Sequence, residues 1–376
     1  MILISISIAI YGGMSFYVGK RLYQGLAVLF PYINSILFAA IFTLIASTLF
    51  VGIMPVPVMV RRLAFRIGAH WIGFFVYLFL LFLCADVVVF LGSITTLIAQ
   101  PGTARFYTTL AAVLLTVILV IYGRYNARRI RHVHYEIQTK TASFPSGIKI
   151  VLISDVHFGA VNSEKNLARI VKGINDLKPD LVCIAGDIFN DDVDLIRDPF
   201  GAIRLFRKIN ATYGVYASLG NHDGGVDLGK MLAFLEESNI TVLKDEHAVI
   251  DGRLVLIGRL DRSPIGGFGG LERKDITDVL ALIDAQERGL PIVVMDHNPA
   301  AIKEYGNKVD VILSGHTHGG QVFPATLLTK ALFTVHYGHY QKDADSPHMV
   351  VTSGISTWGM PMRIGSNNEI VSITLH

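Results

Sequence analysis

The chain has 376 residues, of which 52% are apolar, and a mean hydropathy of +0.49; these values exclude an ordinary soluble protein and place part of the chain in a membrane. The formal net charge of +3 comes from a local basic excess, which bears on membrane orientation and gives no nucleic-acid footprint. Two cysteines, Cys84 in an apolar run and Cys183 in a predicted strand, have no C-x-x-C partner, which excludes a disulfide framework or a thiolate site.

Four apolar runs, 2–18, 33–54, 71–91 and 106–122, lie near the length of about 20 residues that a spanning helix needs, the first at the short limit. They predict an α-helical membrane bundle over 1–123, its first run a signal-anchor because no positive n-region or small-residue cleavage site precedes Lys20 and Arg21. Arg61, Arg62 and Arg66 precede the third run and Arg124, Arg128, Arg129 and Arg131 follow the fourth, against Lys20, Arg21 and Arg105 on the other face. The positive-inside rule then predicts a multi-pass cell-membrane protein whose C-terminal domain is cytoplasmic. Asp86 lies inside the third run, has no obvious intramembrane partner, and reads as structural or interfacial, with a transport role as the alternative.

A basic linker is expected over 124–146, with the composition changing near 143–147, and an α/β domain over 147–376. Within it the pattern predicts strands at 148–154, 181–185, 213–219, 292–295, 309–313, 348–353 and 369–375, with a hairpin at 248–258. Helices are expected at 162–177, 199–209, 228–238 and 274–286. After the His-x-His turn, 323–340 carries Leu327, Leu328, Ala331, Leu332 and Phe333 on an apolar helical face, which either joins the core or presents a lipid-bearing substrate.

Ligand-type residues recur where the predicted strands end, the place where open α/β sheets put their sites. In order these are Ser154-Asp155-Val156-His157, Gly186-Asp187, Gly220-Asn221-His222-Asp223, Asp296-His297-Asn298-Pro299, and Gly315-His316-Thr317-His318-Gly319-Gly320-Gln321. Taken singly, each reads as a helix cap, a turn or a polar loop. Together the series resembles the five blocks of the calcineurin-like metallophosphoesterases, D-x-H, G-D, G-N-H-[DE], H and G-H-x-H. The tail with Trp358-Gly359-Met360-Pro361-Met362-Arg363-Ile364-Gly365 and Glu369-Ile370 is similar to that of the membrane-associated branch. That branch includes enzymes similar to UDP-diacylglucosamine hydrolases and animal transmembrane proteins with a metallophosphoesterase domain.

The resemblance implies a four-layer α/β/β/α sandwich with two divalent cations, Mn²⁺ foremost and Fe, Zn²⁺ or Mg²⁺ as alternatives. It assigns Asp155, His157 and His318 to one cation, Asn221, His297 and His316 to the other, and Asp187 to the bridge. Carboxylate, amide and imidazole ligands suit such metals, and a metal-activated hydroxide removes the need for a Ser or Cys nucleophile. His222 is expected to protonate the leaving oxygen and Asp223 to hold its ring in the right tautomer. Asp296 is a further supporting candidate, Asp191 and Asp192 read as solvated loop carboxylates, and His336, His339 and His348 fall outside the blocks. The function expected is a membrane-anchored phosphohydrolase acting on a phosphoester or pyrophosphate of an amphiphilic, UDP-diacylglucosamine-like substrate. The alternatives are a cyclic-nucleotide or general phosphodiesterase and a silent membrane receptor or transporter. No oligomeric state follows from the sequence.

Overall fold

The computed structural model describes residues 2–140, 147–190, 192–284, 287 and 289–376. These divide into two compact units, Met1–Arg124 with Gly359–Pro361, and Tyr125–Trp358 with Met362–His376.

The first unit is helical: α1 (Ile2–Leu29), α2 (Ser35–Val51), α3 (Val58–Ile94) and α4 (Pro101–Asn126). Asn34 caps α2, its side chain accepting from the N–H groups of Ile36 and Leu37. Val18, Phe75, Leu78, Phe82 and Ala112 form a buried cluster drawn from α1, α3 and α4. Apolar side chains also line the outside of these helices, with Phe16 73% and Ile36 79% exposed. Four spans were expected. Among the described residues, α3 and α4 are long and apolar enough to cross a membrane, whereas α2 stops at 17 residues. Helix α1 runs unbroken through Lys20 and Arg21, past the expected end of its apolar run at 18. Asp86, for which the sequence offered no partner, has three among the described residues: the Tyr17 hydroxyl donates to it at 2.6 Å, and Arg21 and Arg105 lie 3.4 Å and 3.6 Å away. Its partners are spread over the chain, so no local pattern reveals them.

The second unit continues with β1 (Ile130–Ile137), β2 (Ile148–Ile153), α5 (Glu164–Asp176), β3 (Leu181–Ala185), α6 (Pro199–Phe206), β4 (Val215–Ser218), α7 (Leu228–Glu237) and β5 (Ile240–Val242). Then come β6 (Glu246–Ile250), β7 (Leu254–Gly258), α8 (Ile276–Ala281), β8 (Ile292–Met295), α9 (Ile302–Tyr305), β9 (Val311–Ser314), α10 (Ala325–Leu332), β10 (Gly338–Tyr340), β11 (His348–Val351) and β12 (Asn368–Leu375). They build two six-stranded mixed sheets, ordered β1-β12-β2-β3-β4-β5 and β10-β11-β9-β8-β7-β6. Strands β2 to β5 run parallel, as do β7, β8, β9 and β11.

Side chains alternate across each strand. Val151, Ile153, Val182 and Ile184 join a cluster with Leu167, Ile170, Val171 and Ile174 of α5, whose spacing is that of one helix face. Their neighbours Ile150, Leu152, Leu181 and Cys183 instead share a cluster with Leu254, Leu256, Val293, Met295, Val311 and Leu313 of the other sheet. Val255, Ile257, Val294 and Ile312 complete a third cluster with Ile276 and Val279 of α8 and Tyr305 of α9. Continuous apolar strands are what burial on both faces demands.

The stretch 124–146 is not simply a linker. Within it β1 pairs in parallel with β12 from Ile130↔Asn368 to Ile137↔Leu375, and Ile137 is fully buried. Arg131, His132 and His134 are all exposed on this edge strand, which disguised the alternation of Val133, Tyr135 and Ile137. The expected composition boundary at 143–147, apart from Gly147, lies outside the described residues.

Candidate metal centre

The five expected blocks follow the C-terminal ends of β2, β3, β4, β8 and β9, and the two sheets bring these ends together. Backbone bonds tie the loops: Asp155 N–H donates to Gly186 O at 3.1 Å, His157 N–H to Asp187 O at 3.0 Å, and Gly315 N–H to His297 O at 3.0 Å. Approach is close enough that a Cβ at Gly315 would fall on the Ser154 hydroxyl and the Asp155 carboxylate.

Two ligand-type groups result, one of Asp155, His157 and His318 and the other of Asp187, His297 and His316. In the first, His157 Nε2 and His318 Nε2 face each other at 3.1 Å, and His318 Nε2 lies 3.2 Å from Asp155 Oδ1. In the second, His316 Nδ1 lies 3.3 Å from His297 Nε2 and 2.9 Å from Asn221 Oδ1, which adds the expected amide. Asp187 Oδ2 lies 3.6 Å from His157 Nε2 and 3.2 Å from His297 Nε2, so one oxygen faces both groups. Its other oxygen accepts from the His222 backbone N–H at 2.9 Å. All seven expected ligand residues therefore converge.

Backbone geometry adds a signal that the sequence does not carry. Asp155, His157, Asp187, His316 and His318 all have φ between 43° and 68°. In a non-glycine residue this left-handed conformation costs about 1–3 kcal/mol, and such residues cluster where a site over-determines them. The strain points five ligand-type side chains inward.

Electrostatics suit cations. Burial alone would raise Asp155 and Asp187, but the imidazoles of His318 and His297, with His157 beside both, hold the two carboxyls well below the usual range. Burial pushes His157 down to about 3, and burial together with the charge of His297 pushes His316 down to about 4. Both are thus neutral near pH 7, the form that ligates a metal. Burial opposes a charge on His297, yet Asp187 raises it well above its ordinary value; a cation at that place would replace the proton. His297 Nδ1 lies 2.8 Å from Ala185 O, so its proton there leaves Nε2 to face the cluster. The donor set and these converging nitrogens fit two divalent cations.

His222 is buried, with its ring centroid 5.1 Å from that of His157 and 5.9 Å from that of Trp358, and it belongs to neither group. Asp223 departs from its expected place as the clamp of that ring. Its carboxylate accepts from the backbone N–H groups of Ile188, Phe189 and Gly220, each at 2.9 Å, and so clasps the loops after β3 and β4. Burial and then the charge of Asp187 raise its pKa to about 7, against the lowering effect of those donors. Asp296 turns away from the centre, accepting from Arg273 at 2.8 Å and from the Tyr305 hydroxyl at 2.5 Å. Asp192 caps a short turn by accepting from Asp194 N–H, while Asp191 lies outside the described residues. His339 and His348 pair with each other, and the His336 carbonyl accepts from Thr317.

Sequence reasoning gave no role to Arg363, which is fully buried and holds His318 from behind. Its guanidinium donates to His318 O at 2.7 Å, to His318 Nδ1 at 3.2 Å and to Ser356 O at 2.5 Å. Gln321 was likewise unassigned. Its amide donates to Trp358 O and accepts from Trp358 N–H, both at 2.8 Å, which pins Trp358 beside the turn.

Residues 148–320 match the family model described as calcineurin-like phosphoesterase. A Bacillus subtilis metallophosphoesterase is 31% identical over 237 residues, covering 61% of this chain and 79% of that protein. A Caenorhabditis elegans protein named as a metallophosphoesterase is 28% identical over 87% of this chain and 69% of its own length. The zebrafish (Danio rerio) transmembrane protein with metallophosphoesterase domain is 29% identical over 73% of this chain, which spans 64% of that relative. With this match in sequence and these residues at its strand ends, the chain belongs to the calcineurin-like metallophosphoesterase family.

Proposed function

We propose that the chain is a membrane-anchored dinuclear metal-dependent phosphohydrolase that cleaves a phosphoester or pyrophosphate bond in an amphiphilic substrate. The observation that carries this reading is the single Asp187 oxygen facing His157 at 3.6 Å and His297 at 3.2 Å, between two ligand groups. Asp155, His157 and His318 would hold one cation and Asn221, His297 and His316 the other, Mn²⁺ being favoured by the oxygen and imidazole donors. Two such cations, when bound, supply Lewis acidity and an acidified water. His222 gives a proton to the leaving oxygen, and Asp223 keeps the loops of Asp187 and Asn221 in register. The clusters on each side of both sheets support a four-layer α/β/β/α domain over 147–376, extended by β1. Membrane anchoring rests on α3 and α4 and on relatives named as transmembrane proteins. A cytoplasmic catalytic domain is the orientation that the arginines at the start of α3 and around the end of α4 support.

Purified full-length protein loaded with Mn²⁺ should hydrolyse bis-p-nitrophenyl phosphate, lose the activity to a chelator and regain it with metal. Protein that holds metal and hydrolyses nothing would leave a binding domain without catalysis.

A further inference from the structure

The segment that leaves the His-x-His turn follows neither sheet into the core. Helix α10 has no buried residue, and Phe323, Leu327, Leu328 and Leu332 are 51%, 60%, 59% and 69% exposed. Exposed leucines grouped on so short a helix mark an interaction surface rather than ordinary surface scatter. The patch is continuous with the metal centre. Phe333, just beyond α10, sets its ring 5.9 Å from that of His316. Trp358, 52% exposed and held by Gln321, sets its own 5.9 Å from that of His222.

Charge narrows the occupant. From 315 to 341 the sequence contains no Asp or Glu, while Lys330 stands exposed on α10. An apolar rim with a lone cation fits a molecule that has an anionic head and hydrocarbon beyond it. A purely polar substrate would leave this surface unused.

We infer that α10, with Phe323 and Trp358, is the subsite for the hydrocarbon chain of a lipid phosphoester whose phosphate reaches the metal centre. This rests on the phosphohydrolase reading and deepens it. Because the leucines are exposed, replacing them removes chain contacts without hollowing a core.

Two diesters with one leaving group provide the test, p-nitrophenyl methyl phosphate and p-nitrophenyl decyl phosphate, hydrolysed by the full-length protein in nanodiscs with Mn²⁺. Wild type should favour the decyl ester in kcat/KM. Replacing Leu328→Ser and Leu332→Ser together should lower the decyl-to-methyl ratio on the order of 10–100-fold, the scale of discrimination by small apolar differences. A wild type that cleaves both esters equally overturns the subsite and leaves the hydrolase standing. Equal loss of both activities in the double variant, with or without a fall in Tm, also overturns it. A metal-loaded wild type that cleaves neither ester overturns both readings.

Discussion

At the scale of single residues, the roles proposed for His222 and for the candidate ligands around it separate proton transfer from metal binding. His222 packs beside His157 and Trp358 but is in neither ligand group. His222→Ala should therefore keep both metals while lowering turnover roughly 10²–10⁴-fold, less for good leaving groups. Metal analysis that finds a site emptied would remove it from the role of acid. Asp187→Asn should instead weaken both sites together, and normal metal content with full activity would refute the bridge. Arg363→Met should act on one site only, since the guanidinium touches His318 and Ser356 but no member of the second group in its hydrogen bonds. Loss of such support typically costs about 10–100-fold in metal affinity. Titration should show one tight and one weakened site; two undisturbed sites would make Arg363 merely a packing residue. The candidate ligand residues that the fold brings together were legible because each follows an apolar strand in a short motif. Arg363 was not, because it reaches His318 from 45 positions away and no local pattern marks it.

At the scale of elements, legibility followed burial. Strands buried on both faces, such as β2 and β3, read as apolar runs and fell within a residue or two of their expected bounds. Edge strand β1 was taken as linker because the exposed Arg131, His132 and His134 break its apolar pattern. Short β5 gave too few residues for a period. For 323–340 the sequence left core and surface equally open, and only the fold shows α10 exposed. The strand assignment of β1 has a measurable consequence. Ile137 is 1% exposed and lies in the cluster shared by both sheets, so Ile137→Ala should destabilise by about 2–4 kcal/mol. A linker isoleucine would cost less than about 0.5 kcal/mol. Urea unfolding of the full chain and the variant decides between them, and an unchanged midpoint would return the stretch to linker.

At the scale of the whole chain, the proposed orientation rests on the parity of crossings. Helices α3 and α4 are consecutive and each is long and apolar enough to span, so the start of α3 and the end of α4 share a face whatever α1 and α2 do. Arg61, Arg62 and Arg66 lie in the first turns of α3, and Arg124, Arg128, Arg129 and Arg131 lie at or beyond the last turn of α4. On the opposite face stand Lys20, Arg21 and Arg105, of which Arg21 and Arg105 are drawn to Asp86 at 3.4 Å and 3.6 Å. In the proposed topology the chain after α4 stays on the arginine side; among the described residues, α3 and α4 are the helices long and apolar enough to cross. In a bacterial host, a fluorescent protein fused after His376 should light up and alkaline phosphatase at the same place should stay inactive. Active phosphatase there would put the metal centre outside the cytoplasm and require its phosphoester to be one presented on that face.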